Sequence, residues 1–200
     1  MKSLVWSVLV LAATLHPTSC GGLLLAHDRA THNEETISFQ SVARGDDLHS
    51  GLATRAGLDA PAVVIARTRA QAECLVGLLN PGAAEQVAEQ IKKVDFNLES
   101  VVAVVRGRMS SGGFGIRVER ISRAPEGVSI TVRLTNPDPG VFQQQNMPHP
   151  FHIVRVPREE VDVAIKGTWI VRTVGGQLLT STSVAASCPP SNNRLQPTPR

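Results

Sequence analysis

The sequence predicts an α+β fold: a twisted, mostly antiparallel β-sheet with two short helices packed on one face. Three observations carry this. Val101, Val102, Ala103, Val104 and Val105 form an unbroken apolar run, which a strand carries when both of its faces are covered. Val128, Ile130, Val132 and Leu134 alternate with Ser129, Thr131, Arg133 and Thr135, the pattern of a strand with one face on a core and one in water. Between Arg69 and Ile91 the apolar residues recur instead at helical spacing, in two stretches divided by Asn80 and Pro81.

The 200 residues leave room for one domain with a leader and a tail, and such a domain buries a core without help from metals or many disulfides. The net charge of +3 comes from scattered arginines, and aromatic residues are 4% with no Tyr. That excludes the stacking platforms and basic groove of a single-stranded nucleic-acid binder.

Residues 1–20 read as a signal peptide. Lys2 precedes an apolar run from about Leu4 to Leu15 that is too short to cross a bilayer, followed by small and polar residues. Two processing sites compete. Cys20 before Gly21 and Gly22 suggests lipidation, with Pro17 where a lipoprotein signal carries Leu, and a cut after Ala26 is the alternative. The expected location is the periplasm or cell envelope, with lipid at Cys20 as the one route to a membrane. Residues 21–36 read as a polar tether.

Ile37 to Ala43 reads as a first strand with Ile37, Phe39 and Ser41 on one face, Gly45 to Leu58 as a loop, and Ala62 to Ala66 as a second strand. Thr68 is placed to cap a helix over Arg69 to Leu79 that turns Ala70, Cys74, Leu75, Leu78 and Leu79 inward. Asn80 and Pro81 open a second helix, with Ala84, Val87, Ala88 and Ile91 on the sheet.

After the central strand, Gly107, Gly112, Gly113 and Gly115 cluster with Ser110 and Ser111 and read as a hairpin turn, because glycine supplies positive φ at little steric cost. Ile116 and Val118 point inward on the return strand, and Ile121 falls out of phase, which predicts a bulge near Arg120. Asn136 to Gly140 ends the alternating strand, and Phe151 to Val156 forms another, stopped by Pro157. Beyond it Val161, Val163 and Ile165 alternate as in a strand, Trp169 to Val174 forms a further strand and Gln177 to Thr180 a last one. Residues 181–200 read as a disordered tail.

Little here is catalytic. Gly107 to Gly112 imitates a phosphate-binding loop, but Gly113 and Phe114 stand where Lys and Ser or Thr are required. His149 and His152, three apart on a strand, face opposite sides and share no metal easily, and His152 packs or hydrogen-bonds beside Phe151. Ser110, Ser111, Asp95 and the histidines lack a nucleophile-elbow motif to fix a triad. Glu159, Glu160 and Asp162 read as a solvated edge. Cys74 reads as a small core residue, with a disulfide to Cys188 as the alternative, and no zinc spacing is present. The expectation is a protein that is not an enzyme and uses no cofactor and no metal.

Val94-Asp95-Phe96 precedes the central strand, Gly107 is followed by Gly112-Gly113-Phe114, and Pro150-Phe151-His152-Ile153-Val154 leads to Pro157. In order and spacing these residues resemble the PrcB family, subunits of cell-envelope protease complexes. The resemblance implies one PrcB-like globular domain over residues 37–180. It also implies an exported, non-catalytic partner of another envelope protein, which could be a secreted or surface protease that this chain assembles or stabilises. The expected contact surface is Ser110, Ser111, Gly112, Gly113 and Phe114 together with His149, Pro150, Phe151 and His152, where Gly- and Pro-shaped loops each carry an aromatic. Two alternatives are a small envelope hydrolase and a protease inhibitor, since the Ser-Ser-Gly-Gly-Phe segment is similar to the Thr-Thr-Gly-aromatic loop of chagasin-like inhibitors.

Overall fold

The computed structural model describes residues 34–46, 48–124, 127–164 and 168–182. The leader, the processing sites at Cys20 and Ala26, most of the tether, Cys188 and residues 183–200 lie outside the described residues. The α+β class stands, with the strands divided between two sheets. One has four strands in the order β2-β7-β4-β3, namely β2 (Gln40–Gly45), β7 (Phe151–Pro157), β4 (Glu99–Val105) and β3 (Ala62–Ala66). The other has five in the order β1-β5-β6-β8-β9, namely β1 (Thr36–Ile37), β5 (Gly115–Ala124), β6 (Gly127–Thr135), β8 (Thr168–Thr173) and β9 (Leu178–Thr182). All pairings are antiparallel except β6 with β8.

The apolar run of β4 explains the layering. Val102 and Val104 join the core shared with Ile116, Val118, Ile130 and Trp169 of the second sheet. Val101, Ala103 and Val105, on the opposite face, join the core formed with Leu75, Val87 and Ile91 of the helices. Alternate side chains of a strand point to opposite faces, so a strand with a core on each side needs no polar positions. Helices, four-stranded sheet and five-stranded sheet therefore form three layers.

Helix α2 (Arg69–Val76) is capped by Thr68, whose hydroxyl accepts from Gln71 N–H, and it ends at Gly77, short of Leu79. Its buried residues are Ala72 and Leu75, while Ala70 is exposed and Cys74 half-buried, so the inward face is rotated from the expected one. Helix α3 (Pro81–Ile91) starts with Pro81 in the first turn and buries Val87 and Ile91, and the Asn80 side chain makes no cap hydrogen bond.

Further expectations are corrected. The first strand is broken: β1 pairs with β5 and β2 with β7, so one short segment serves both sheets, with Phe39 half-buried between them. The stretch expected as loop contains helix α1 (Ser50–Arg55), which buries Ala53. The alternation after Pro157 is helix α4 (Arg158–Ala164), with Glu159 and Glu160 in its first turn, where acidic side chains favour a helix start, and with Val161 fully buried. Finally, β4 and β5 do not pair. The glycine-rich segment between them crosses from one sheet to the other, and the local hairpin is β5–β6. The expected bulge is present, the β5–β6 register shifting between Val118 and Arg120. Ser181 and Thr182, expected in the tail, belong to β9.

Candidate functional site

The crossing segment 106–114 lies against the long loop 136–150, and three backbone hydrogen bonds zip them together: Arg106 N–H to Pro150 O, Met109 N–H to Pro148 O and Gly112 N–H to Gln144 O, each 2.8 Å. Glycine is required twice. Gly107 has φ +95°, and a Cβ there would lie 2.7 Å from Asp59 O; Gly113 has φ +82°, and a Cβ would lie 2.7 Å from Gln143 Oε1 and 2.9 Å from Pro137 Cβ.

Arg106 pins the pair. Its Nη1 donates to Gly115 O (3.2 Å) and Thr135 O (2.6 Å), its Nη2 donates to Asn136 Oδ1 (2.6 Å), and its guanidinium lies 4.9 Å from the Phe114 ring centroid. Burial pulls its pKa below the usual arginine value, yet arginine keeps its proton in proteins, so the carbonyls hold a cation. Asp59 holds the other side. Its backbone O accepts from Arg108 N–H at 3.0 Å, and its Oδ1 accepts from Thr54 Oγ1 and lies against His149 Nε2, both at 3.0 Å. The hydrogen bond from His149 is the main cause holding the Asp59 carboxyl below its ordinary range.

The nine expected contact residues separate into two levels. Ser110 and Gly113 are exposed, Ser111 and Phe114 half-buried and Gly112 buried. His149, Pro150, Phe151 and His152 lie beneath the surface: His149 is fully enclosed, Phe151 sits in the helix-side core and His152 is 4% exposed. These four shape the loop from below. The exposed rim instead carries Val141, Phe142 and Met147, with Phe142 93% exposed. Met147 holds φ +47°, a left-handed conformation that costs a non-glycine residue about 1 kcal/mol. Sequence reasoning passed over Phe142, although a lone aromatic in the polar run after Asn136-Pro137-Asp138-Pro139-Gly140 was a usable signal.

His152 settles one catalytic question. Its Nδ1 accepts from Val118 N–H at 2.8 Å, so the ring proton is on Nε2, which donates to Ser41 Oγ at 2.8 Å. A general base for a serine nucleophile needs the reverse, Nε2 accepting from the hydroxyl. Burial, helped by Arg44 and Arg117, lowers the His152 pKa to about 4, so the ring is neutral near pH 7. Among the described residues no group of three or more His, Cys, Asp or Glu is placed to hold a metal ion.

Fold and site thus define a helix-covered two-sheet α+β domain with a pinned, apolar-tipped pair of loops. A family model described as PrcB C-terminal matches residues 100–157, so this stretch of the chain is similar to that family. The matched stretch runs from β4 to β7 and so contains the crossing segment, the β5–β6 hairpin and the long loop. No curated protein and no solved structure matches the chain.

Proposed function

We propose that this protein is an exported, non-catalytic binding domain that acts as an accessory or stabilising subunit of a cell-envelope protease complex. It is held in the periplasm or cell envelope, by lipid at Cys20 or released by cleavage after Ala26. The family match supports a subunit associated with a protease complex. The observation that carries the binding surface is the exposure of Phe142, Val141 and Met147 on loops fastened by Arg106 and Asp59. A large aromatic left in water on a preorganised rim is the composition of an interface anchor. Ser110, Ser111, Gly113 and Phe114 lie beside it as the partner-facing side of the crossing segment.

The test is affinity capture from envelope extract of the source organism, comparing the parent with Phe142→Ser and assaying peptidase activity of the eluate. The reading expects an active protease recovered by the parent and at least tenfold depleted with the variant, since loss of an anchor costs about 2 kcal/mol or more. Recovery of no protease, or equal recovery by both, overturns it. A recovered protease whose activity falls with added domain would replace it by the inhibitor reading.

A further inference from the structure

Strand β2 is an edge of the four-stranded sheet, paired with β7 on one side only. Its residues are exposed or half-buried, and it contains neither Pro nor Lys, two common devices against edge pairing. Clefts lie on both of its faces. On the side of the five-stranded sheet, a cleft of about 440 Å³ is lined by Phe39, Ser41, Arg44, Arg117, Glu119 and His152 among others. On the helix side, one of about 450 Å³ is lined by Val42, Ala43, Gly45, Ala83, Gln86 and Gln90 among others. A third, of about 300 Å³, continues from Arg44 and Arg117 to Gly113 and Phe114.

Within each cleft on the five-stranded-sheet side, guanidinium groups outnumber carboxylates. Glu119 is shared by Arg133 (3.0 Å) and Arg117 (3.6 Å), and its carboxyl is held low first by Arg133 and also by Arg117 and Arg44. Asp46 is the other carboxylate lining the clefts among the described residues. Arg44 borders all three clefts; its backbone pairs with β7 opposite His152, while its guanidinium makes no ion pair among the described residues. Arg44 and Arg117 line both clefts on the five-stranded-sheet side, each cleft with a single carboxylate, Asp46 or Glu119, and Glu119 is already engaged by Arg117 and Arg133. Apart from Arg44, the helix-side cleft is lined by uncharged residues.

We propose that the open edge of β2 receives an extended acidic segment of a partner protein as an added strand, its carboxylates on the Arg44–Arg117 side and its small or neutral side chains over α3. Strand addition uses main-chain hydrogen bonds for affinity and pockets on alternate faces for specificity, and β2 presents both. The register shift between Ser41 and Ala43 in the pairing with β7 bulges the edge there, so the regular stretch open to an added strand is Ala43 to Gly45 and contains Arg44. This inference rests on the protein-binding reading above and gives the partner its chemistry, because the third cleft leads from β2 to Phe114.

The experiment selects random displayed heptapeptides on the full mature chain, with Arg44→Gln, Arg44→Glu and the distant exposed Arg55→Glu as variants. Expected are peptides with acidic residues at alternate positions, bound roughly tenfold more weakly by Arg44→Gln and more weakly still by Arg44→Glu. Arg55→Glu should bind like the parent, and bound peptide should slow amide exchange within Gln40 to Gly45. Failure to enrich any peptide, enrichment without acidic residues, unchanged binding by the Arg44 variants, or protection confined to other segments overturns the inference. The assay contains no protease, so peptide binding at β2 without protease capture would sink only the subunit reading. Protease capture without peptide binding would sink only this one.

Discussion

His152 and Val118 belong to different sheets and are joined by one hydrogen bond, from the Val118 amide to Nδ1 at 2.8 Å. On its free side β5 is covered by β1 only at Ile121 and Ser122. The imidazole therefore satisfies an amide that would otherwise sit at an unpaired edge. The same ring reaches Ser41, so a neutral histidine ties β2, β5 and β7 together.

Stability should therefore depend on pH in a defined window. The folded-state pKa is lowered from 6.5 to about 4, so above pH 6.5 the contribution is complete. Below 6.5 the unfolded chain takes up the proton and the folded protein does not, and stability falls until about pH 4. The loss should be on the order of 2 kcal/mol after allowance for water in the adjoining cleft. Urea unfolding from pH 8 to 4 measures it. His152→Gln, which keeps an acceptor and a donor, should flatten that slope.

Gly107→Ala should destabilise the domain by about 2 kcal/mol or more, since it combines positive φ with a backbone clash. Gly140→Ala, with φ +85° but nothing within 4 Å of its Cβ, should cost about 1 kcal/mol. Equal midpoints in thermal unfolding would show that the approach to Asp59 is relaxed in solution.

Arg106→Lys should cost about 1–2 kcal/mol despite keeping the charge. An ammonium cannot bond Gly115 O, Thr135 O and Asn136 Oδ1 in the same fork while stacking on Phe114. Amide exchange should accelerate at Gly112 and Gly115 before it does in β4.

Ile130→Ala and Ile153→Ala should each cost about 2–5 kcal/mol, as both side chains are fully buried. They lie in different cores, so the double variant should equal the sum within about 0.5 kcal/mol. Strong coupling in denaturant titrations would mean that the four-stranded sheet transmits strain between its faces.

Element type was legible where the period was long and local. The runs at Val101 to Val105 and Val128 to Leu134 specified strands, and the slip at Ile121 specified a bulge, because side-chain alternation is a local property. Sheet membership was not legible. Whether Gly107 to Gly115 reverses the chain or carries it between sheets depends on Asp59 and Pro137, far away in sequence. At the site the two loops were found together, but His149 and Phe151 were read as surface when burial beneath the loops was their role. The rim aromatic Phe142 was missed because turn-forming residues surround it. Val161 and Val163 mimicked a strand over a window too short to separate the periods.

Strand β7 is the shared neighbour of β2 and β4, and Ser41 meets His152 across 111 residues of chain. During synthesis, β3, β4 and the helices emerge early, but β4 keeps one bare edge until residues 106–150 have followed and Phe151 to Pro157 arrives. For that interval the partly emerged chain carries a valine-rich, charge-free segment with β-propensity and no second partner, the composition that incompletely folded chains aggregate through. A premature stop or cleavage before Phe151 would thus yield insoluble material rather than a shorter domain, and biogenesis would depend on a holdase that covers Val101 to Val105.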